Sequence, residues 1–237
     1  MFWDKKIETL KPNELKELQL KRLKKTFKQV QNVPFYRNLL AEAGIKKTSI
    51  KSLEDIHRIP FTKKQDLRDG YPFGFFAVPL RDIVRIHTTS GTTGKPTVVG
   101  YTRNDLDTWA GLIARNMTMV GITKDDIFQN MVNYGMFTGG LGFHYGAEKI
   151  GMTVIPSATG NTRRQIDMIN DFGVTTIHCT PSYAMHLSEV AEEMGTGLDS
   201  LRTGLFGAEP WSESTRKTLE DRLGVTAYDS YGMSELF

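Results

Sequence analysis

Cysteine is almost absent from this chain: its 237 residues hold one, Cys179. A single thiol closes no internal disulfide, so a disulfide-stapled scaffold is excluded, as is any metal site built from several thiolates. Cys179 lies in TTIHCT, an apolar–polar run in which a small buried side chain is the ordinary outcome and a nucleophile the rarer one. Long apolar runs are missing too. No stretch approaches the roughly 20 residues of a membrane-spanning helix, and the opening MFWDKKIETL is too polar and acidic for a secretory signal. The expected address is the cytoplasm, with no membrane partner. No fixed-period repeat or low-complexity tract is present.

What remains is the composition of an ordinary globular protein, 39% hydrophobic and 10% aromatic, in a chain long enough to bury a substantial core. The net charge of +3 is unevenly spread. Residues 1–70 carry 17 Lys and Arg against 9 Asp and Glu, whereas residues 71–237 carry 13 against 18. A helical region over 1–70 and an α/β region over 71–237 are therefore expected to do different jobs. The basic excess concentrates in LKELQLKRLKKTFKQV, where Leu15, Leu18, Leu23, Phe27 and Val30 form one apolar stripe of a helix and lysines fill the rest. No aromatic residues interleave with those lysines, which favours a solvated or partner-facing helix over a nucleic-acid footprint. Breaks fall at Pro12, Pro34, Gly44 and Pro60, and FTKKQDL opens a further helix with Thr62 as its expected N-cap.

From Ile83 onward short β-rich runs alternate with helical segments. DIFQNMVNY, MTVIPS, TTIHCT, RTGLFGA and VTAYDSYG read as strands, and helices are expected in RNDLDTWAGLIARNMTMVG, GGLGFHYGAEKIG, TRRQIDMINDFG, PSYAMHLSEVAEEMG and SESTRKTLEDRLG. That rhythm predicts an α/β fold of largely parallel sheets covered by helices, because parallel strands need a crossover connection. Ligand loops in such folds lie beyond the carboxyl ends of the strands.

Between the runs DIVRIHT and PTVVGYT lies HTTSGTTGKP, with five hydroxyls, two glycines and a lysine in ten residues. Glycines let backbone N–H groups converge on an anion, hydroxyls add donors and lysine adds charge, a set suited to polyphosphate. The spacing is not that of a Walker A loop, and GGLGFHYG misses the dinucleotide G-x-G-x-x-G pattern. A plain polar hairpin is the competing reading of the loop taken alone.

Together, TTSGTTGKP (88–96), FGAEP (206–210) and YDSYGMSE (228–235) resemble, in order and separation, the nucleotide-binding motifs of the acyl-adenylate-forming enzymes. YRNLLAEAGI, YGMFTGGLGFHYGAEKIGMTVIPSATGNT and TPSYAMHL are similar, more narrowly, to the phenylacetate–coenzyme A ligases, over nearly the whole chain. The resemblance implies the amino-terminal domain of such a synthetase, using ATP, Mg2+ and coenzyme A to activate a small aryl carboxylic acid. It assigns Ser90, Gly91, Thr92, Thr93, Gly94 and Lys95 to the β- and γ-phosphates, Ser234 to the α-phosphate and Glu235 to magnesium, with Lys95 and Ser234 as the catalytic pair. Gly207, Ala208, Glu209, Pro210, Asp229 and Tyr231 fall to adenine, and Tyr134, Phe137, Ala208 and Ser230 to the acid pocket. His144 is either a wall of the thiol tunnel or a satisfied structural histidine.

Members of that family continue beyond Glu235 to a ribose-binding aspartate and a mobile C-terminal domain carrying the adenylation lysine. The expectation is an amino-terminal portion inactive by itself, either a fragment, a truncated gene product or one half of a split enzyme with a complementary C-terminal polypeptide, and family likeness implies a homodimer. A noncatalytic nucleotide-binding or interaction module is the alternative.

Overall fold

The computed structural model describes every residue except Lys47, Ser90, Thr92, Thr93, Phe137, Leu236 and Phe237. The chain forms two compact units, one of Asp4–Asp105 and one of Leu106–Phe237 together with Met1–Trp3.

The first unit is helical, then ends in a hairpin. Its helices are α1 (Lys5–Glu8), α2 (Pro12–Val30), α3 (Pro34–Glu42) and α4 (Lys64–Asp69). Pro12 and Pro34 stand in the first turn of α2 and α3, where a missing N–H costs nothing, and Glu14 Oε2 accepts from the Lys11 N–H at 2.9 Å. The apolar face of α2 buries only toward its end: Phe27, Leu40, Ile45 and Ile50 form a small core, with Leu20, Leu23, Val30 and Ile59 packed against it. Leu15 stays exposed and Leu20 belongs to the stripe, because α3 and the segment after it meet only the second half of the long helix. The lysines of α2 all face solvent. The cap of α4 is Lys63 and not Thr62; Asp66 Oδ2 accepts from the Lys63 N–H at 2.7 Å, while the Thr62 hydroxyl donates to Tyr36 Oη at 3.2 Å. Antiparallel strands β1 (Arg85–Thr88) and β2 (Val98–Tyr101) flank the hydroxyl-rich loop.

The second unit is a parallel sheet with helices on both faces. After α5 (Arg103–Met119) come β3 (Ile127–Asn130), α6 (Thr138–Ile150), β4 (Thr153–Ile155), α7 (Thr162–Phe172), β5 (Thr176–Cys179), α8 (Pro181–Glu193), β6 (Thr203–Gly207), α9 (Glu213–Leu223) and β7 (Thr226–Ser230). The five strands lie in the order β4-β3-β5-β6-β7, every pair parallel. Local chemistry sets the helix ends. Thr180 and Ser212 hydroxyls cap α8 and α9, and Gly173 and Gly224 end α7 and α9 in the left-handed conformation that glycine adopts without steric cost.

Two-residue alternation sorts the strands' side chains onto two cores. Ile177, Cys179, Phe206 and Ala227 pack with Ile166, Leu187 and Leu219 of α7, α8 and α9. Phe128 and Leu205 point the other way, toward Met117 and Ala147 of α5 and α6. At the amino ends of the strands, buried Asp126 accepts from the Thr123 N–H at 2.8 Å and the Thr175 hydroxyl at 2.7 Å and pairs with Arg202. Burial works against its charge, but those hydrogen bonds and Arg202 together hold its pKa below the usual carboxylate value. This cluster ties the starts of β3, β5 and β6 together, at the opposite end of the sheet from the strands' carboxyl termini.

Candidate functional site

The sheet order reverses between β3 and β5: the chain leaves β3 for the edge at β4, then crosses back to build β5, β6 and β7 outward. Crossovers leave such a point in opposite directions, so a crevice opens beyond the carboxyl ends of those strands. A cavity of about 320 Å³ opens there. Its walls come from β5, from the segments at and after the ends of β6 and β7, and from α5 and α6.

Of the residues assigned to adenine, Gly207, Ala208, Asp229 and Tyr231 border this one cavity. Tyr231 is 87% exposed, at the rim, with its hydroxyl 3.6 Å from Met233 Sδ. Glu209 and Pro210 are not among the wall residues. The Glu209 carboxylate turns to the start of α8, where Oε1 accepts from the Ser182 N–H at 2.6 Å, an anion at a helix amino end. Ala208 and Ser230, assigned to the acid pocket, also border the cavity, and Ser230 Oγ donates to Phe206 O at 3.2 Å. Tyr134 is not among the wall residues, and Phe137 is outside the described residues. Ser234 is buried and Glu235 half-buried, directly after the wall residue Met233.

In the first unit, the hydroxyl-rich loop closes the β1–β2 hairpin. The Thr89 N–H donates to Thr97 O and the Thr97 N–H to Thr89 Oγ1, both at 3.0 Å. Gly91 (φ 66°) and Gly94 (φ 140°) both take conformations that side chains disfavour, and the Gly94 N–H donates to Gly91 O at 3.1 Å. Lys95 is exposed, its ammonium 5.9 Å from the centre of the Tyr71 ring. Ser90, Thr92 and Thr93 fall outside the described residues.

Sequence reasoning missed a buried polar residue of this cavity. His178, in β5, lines it while only 5% exposed. Its ring stacks on Phe143 with centroids 3.8 Å apart and more loosely on Phe128 at 6.5 Å. Burial pushes its pKa down to about 3, so the ring is neutral. His178 Nδ1 lies 2.9 Å from Asn130 Oδ1, so the bond spans β3 and β5 at the point of reversal. Asn130 Nδ2 in turn donates to Gly140 O and Tyr134 Oη, each at 2.8 Å. Tyr134 Oη is 3.2 Å from His144 Nδ1, and His144 Nε2 is 3.1 Å from Glu148 Oε1. Burial raises the Tyr134 pKa to about 12, against the opposing pull of the Asn130 hydrogen bond. The available signal was the alternation in TTIHCT, which puts His178 and Cys179 on opposite faces. Cys179 lies in the core, where burial and then the Glu209 carboxylate push its thiol pKa up, away from a nucleophile. Trp109 and Gly142 complete the inner wall; a Cβ at Gly142 would stand 2.6 Å from the indole, so glycine lets the ring lie flat on α6.

Among the described residues no group of three His, Cys, Asp or Glu could hold a metal, and no helix is long and apolar enough to cross a membrane. The family described as AMP-binding enzyme matches residues 12–237. The chain is 50% identical over 234 residues to the phenylacetate–coenzyme A ligase of Escherichia coli and 49% identical over 239 residues to that of Thermus thermophilus. These matches cover 97% and 100% of this chain but 54% of each relative, so the chain spans about half their length. A solved open form of 2-hydroxyisobutyryl-CoA ligase, in complex with 2-HIB-AMP and CoA, superposes with a TM-score of 0.92 at 31% identity, covering 99% of this chain and 57% of that one.

Proposed function

The chain belongs to the AMP-binding enzyme family, and from that premise we propose that it is the nucleotide- and acid-binding portion of an acid–coenzyme A ligase acting on an aryl acid. The observation that carries this reading is the single cavity bordered by Gly207, Ala208, Asp229, Ser230 and Tyr231, residues from two separate motifs. Its inner wall of Trp109, Phe143 and Leu205 suits a flat apolar group. The close identity to phenylacetate–coenzyme A ligases supports an aryl acid as the substrate.

A carboxylate is a poor electrophile, because its charge is delocalised and its leaving group would be oxide. In the proposed reaction a carboxylate oxygen attacks the α-phosphorus of ATP, the bond to the β-phosphate oxygen breaks, and pyrophosphate leaves. The sulfur of coenzyme A then attacks the acyl carbon of the mixed anhydride and expels AMP, its thiol proton passing to solvent. In this reading Tyr231 lies against adenine, Asp229 accepts from the exocyclic amine, and Ser234 donates to the α-phosphate. Lys95 and the loop hydroxyls stabilise the charge of departing pyrophosphate. Glu235 offers one half-buried carboxylate. That fits magnesium, which is usually held by one or two carboxylates plus substrate phosphates and supplies charge neutralisation there.

The test uses the full-length protein with ATP, magnesium, coenzyme A and a panel of aryl acids. Acid-dependent release of pyrophosphate, followed by AMP and a thioester, is expected. Nucleotide binding without any acid-dependent pyrophosphate would point instead to a noncatalytic module.

A further inference from the structure

The hydrogen bonds behind the cavity run in one direction only. The Gly140 carbonyl can accept but not donate, so the Asn130 atom 2.8 Å from it is the amide nitrogen. Its other side-chain atom, Oδ1, must then accept from His178, whose Nδ1 at 2.9 Å therefore carries the proton. With Nδ1 protonated and the ring neutral, Nε2 holds a bare lone pair. Phe143 stacks on the ring with centroids 3.8 Å apart, and Asn130 takes the Nδ1 edge. His178 lines the cavity and its Nδ1 is engaged by Asn130, so Nε2 is the ring nitrogen left for a ligand there. The second amide proton of Asn130 goes to Tyr134 Oη, which passes its own proton to His144 Nδ1, and His144 Nε2–H finishes on Glu148. Each donor in this series is used up, so reversing His178 would require turning over Asn130 against the Gly140 carbonyl.

Resting on the ligase reading above, we infer that His178 is a specificity-determining residue of the acid pocket: its Nε2 accepts a hydrogen bond from a donor on the acyl group, selecting ring acids that bear a hydroxyl or N–H over the unsubstituted ring. The carboxylate under activation cannot be that partner, since it has no proton to give and its charge would face a lone pair. Adenine's amine carries protons, but the adenine-assigned Asp229 and Tyr231 are exposed, whereas His178 is buried. An unsubstituted ring would leave a desolvated acceptor unpaired, and a site built around a hydrogen bond discriminates strongly against the analogue that lacks it.

The test compares phenylacetate with its ring-hydroxylated analogues in the full-length enzyme, as wild type, His178→Phe and His178→Gln. The wild type should prefer at least one hydroxylated acid by about tenfold or more in kcat/KM. Phenylalanine keeps the stack on Phe143 but removes the acceptor, so the ratio should fall to about one; glutamine offers an amide oxygen and should restore part of it. A purely structural role would lower the rate with both acids alike and leave the ratio unchanged, which overturns the inference. A raised KM for ATP with every acid, at constant ratio, would assign Nε2 to adenine and overturns it too. Nitrogen-15 NMR of the wild-type histidines decides without a variant: Nε2 of His178 should be unprotonated and should shift on adding the hydroxylated acid but not phenylacetate. A protonated Nε2 contradicts the inference. If no acid of the panel gives pyrophosphate, the ligase reading fails and takes this one with it; an active enzyme with an unchanged ratio fails this one alone.

Discussion

A Cβ on Gly207 would lie 2.2 Å from the carbonyl oxygen of Ser230. The carboxyl ends of β6 and β7 thus approach too closely for any side chain at residue 207, and both residues border the cavity. Gly207→Ala must part the two strands at the point where the adenine-assigned residues meet. Overpacking of this kind costs about 1–3 kcal/mol. Urea unfolding should show that loss, and nucleotide titration a weakening of tenfold or more; unaltered nucleotide affinity would separate this strand pair from the binding site.

Lys95 lends itself to the opposite pattern, function without fold. Its side chain is exposed and its ammonium sits over the Tyr71 ring, an exposed cation–π contact worth about 0.5–1 kcal/mol. Lys95→Ala should therefore change stability by no more than that. If the ammonium stabilises departing pyrophosphate, the same substitution should lower adenylation in the full-length enzyme by about a hundredfold. Single-turnover pyrophosphate release measures it, and a rate close to that of wild type would remove Lys95 from the chemistry.

His178 also leaves a signature in acid. An unfolded histidine binds its proton near pH 6.5, whereas the folded one does so only near pH 3. Between those values the unfolded chain holds the extra proton, so stability is full above about pH 6.5 and falls as the pH drops toward 3. The slope is about 1.4 kcal/mol per pH unit, or roughly 2–3 kcal/mol by about pH 4.5. Chemical denaturation of wild type and His178→Phe at about pH 7.5 and about pH 4.5 should show the difference shrinking or reversing at the lower pH. A constant difference would mean that His178 takes up its proton in the fold.

Asp126 separates the two ends of the sheet. Asp126→Ala leaves the Thr123 N–H and the Thr175 hydroxyl without their carboxylate, a loss of about 2–3 kcal/mol; mostly exposed Arg202 adds little. Because this cluster lies at the strands' amino ends, nucleotide and acid affinities should be unchanged in whatever protein remains folded. Thermal unfolding together with ligand titration checks both statements.

Much of the second unit was legible from sequence, because its strands are short apolar runs punctuated by strong signals: Thr180–Pro181 starting α8, Ser212 starting α9, Gly173 and Gly224 ending α7 and α9. Helix edges in the first unit were less so. Periodicity marks Leu15 as apolar but does not say that α3 covers only the far half of α2, and Thr62 has the chemistry of a cap yet finds Tyr36 instead. His178 was missed for a similar reason. Alternation in TTIHCT divides the strand's two faces, but only the order β4-β3-β5-β6-β7 puts β5 next to the reversal and turns one face toward a cavity. Tyr134 illustrates the same gap, since its hydroxyl is linked to the wall residue His178 through Asn130.

The most direct measurement is acid-dependent exchange of labelled pyrophosphate into ATP by the full-length protein, with and without magnesium. Exchange that requires both an aryl acid and magnesium, and that weakens in Gly207→Ala, is the predicted result. Tight ATP binding with no exchange for any carboxylic acid would contradict the account.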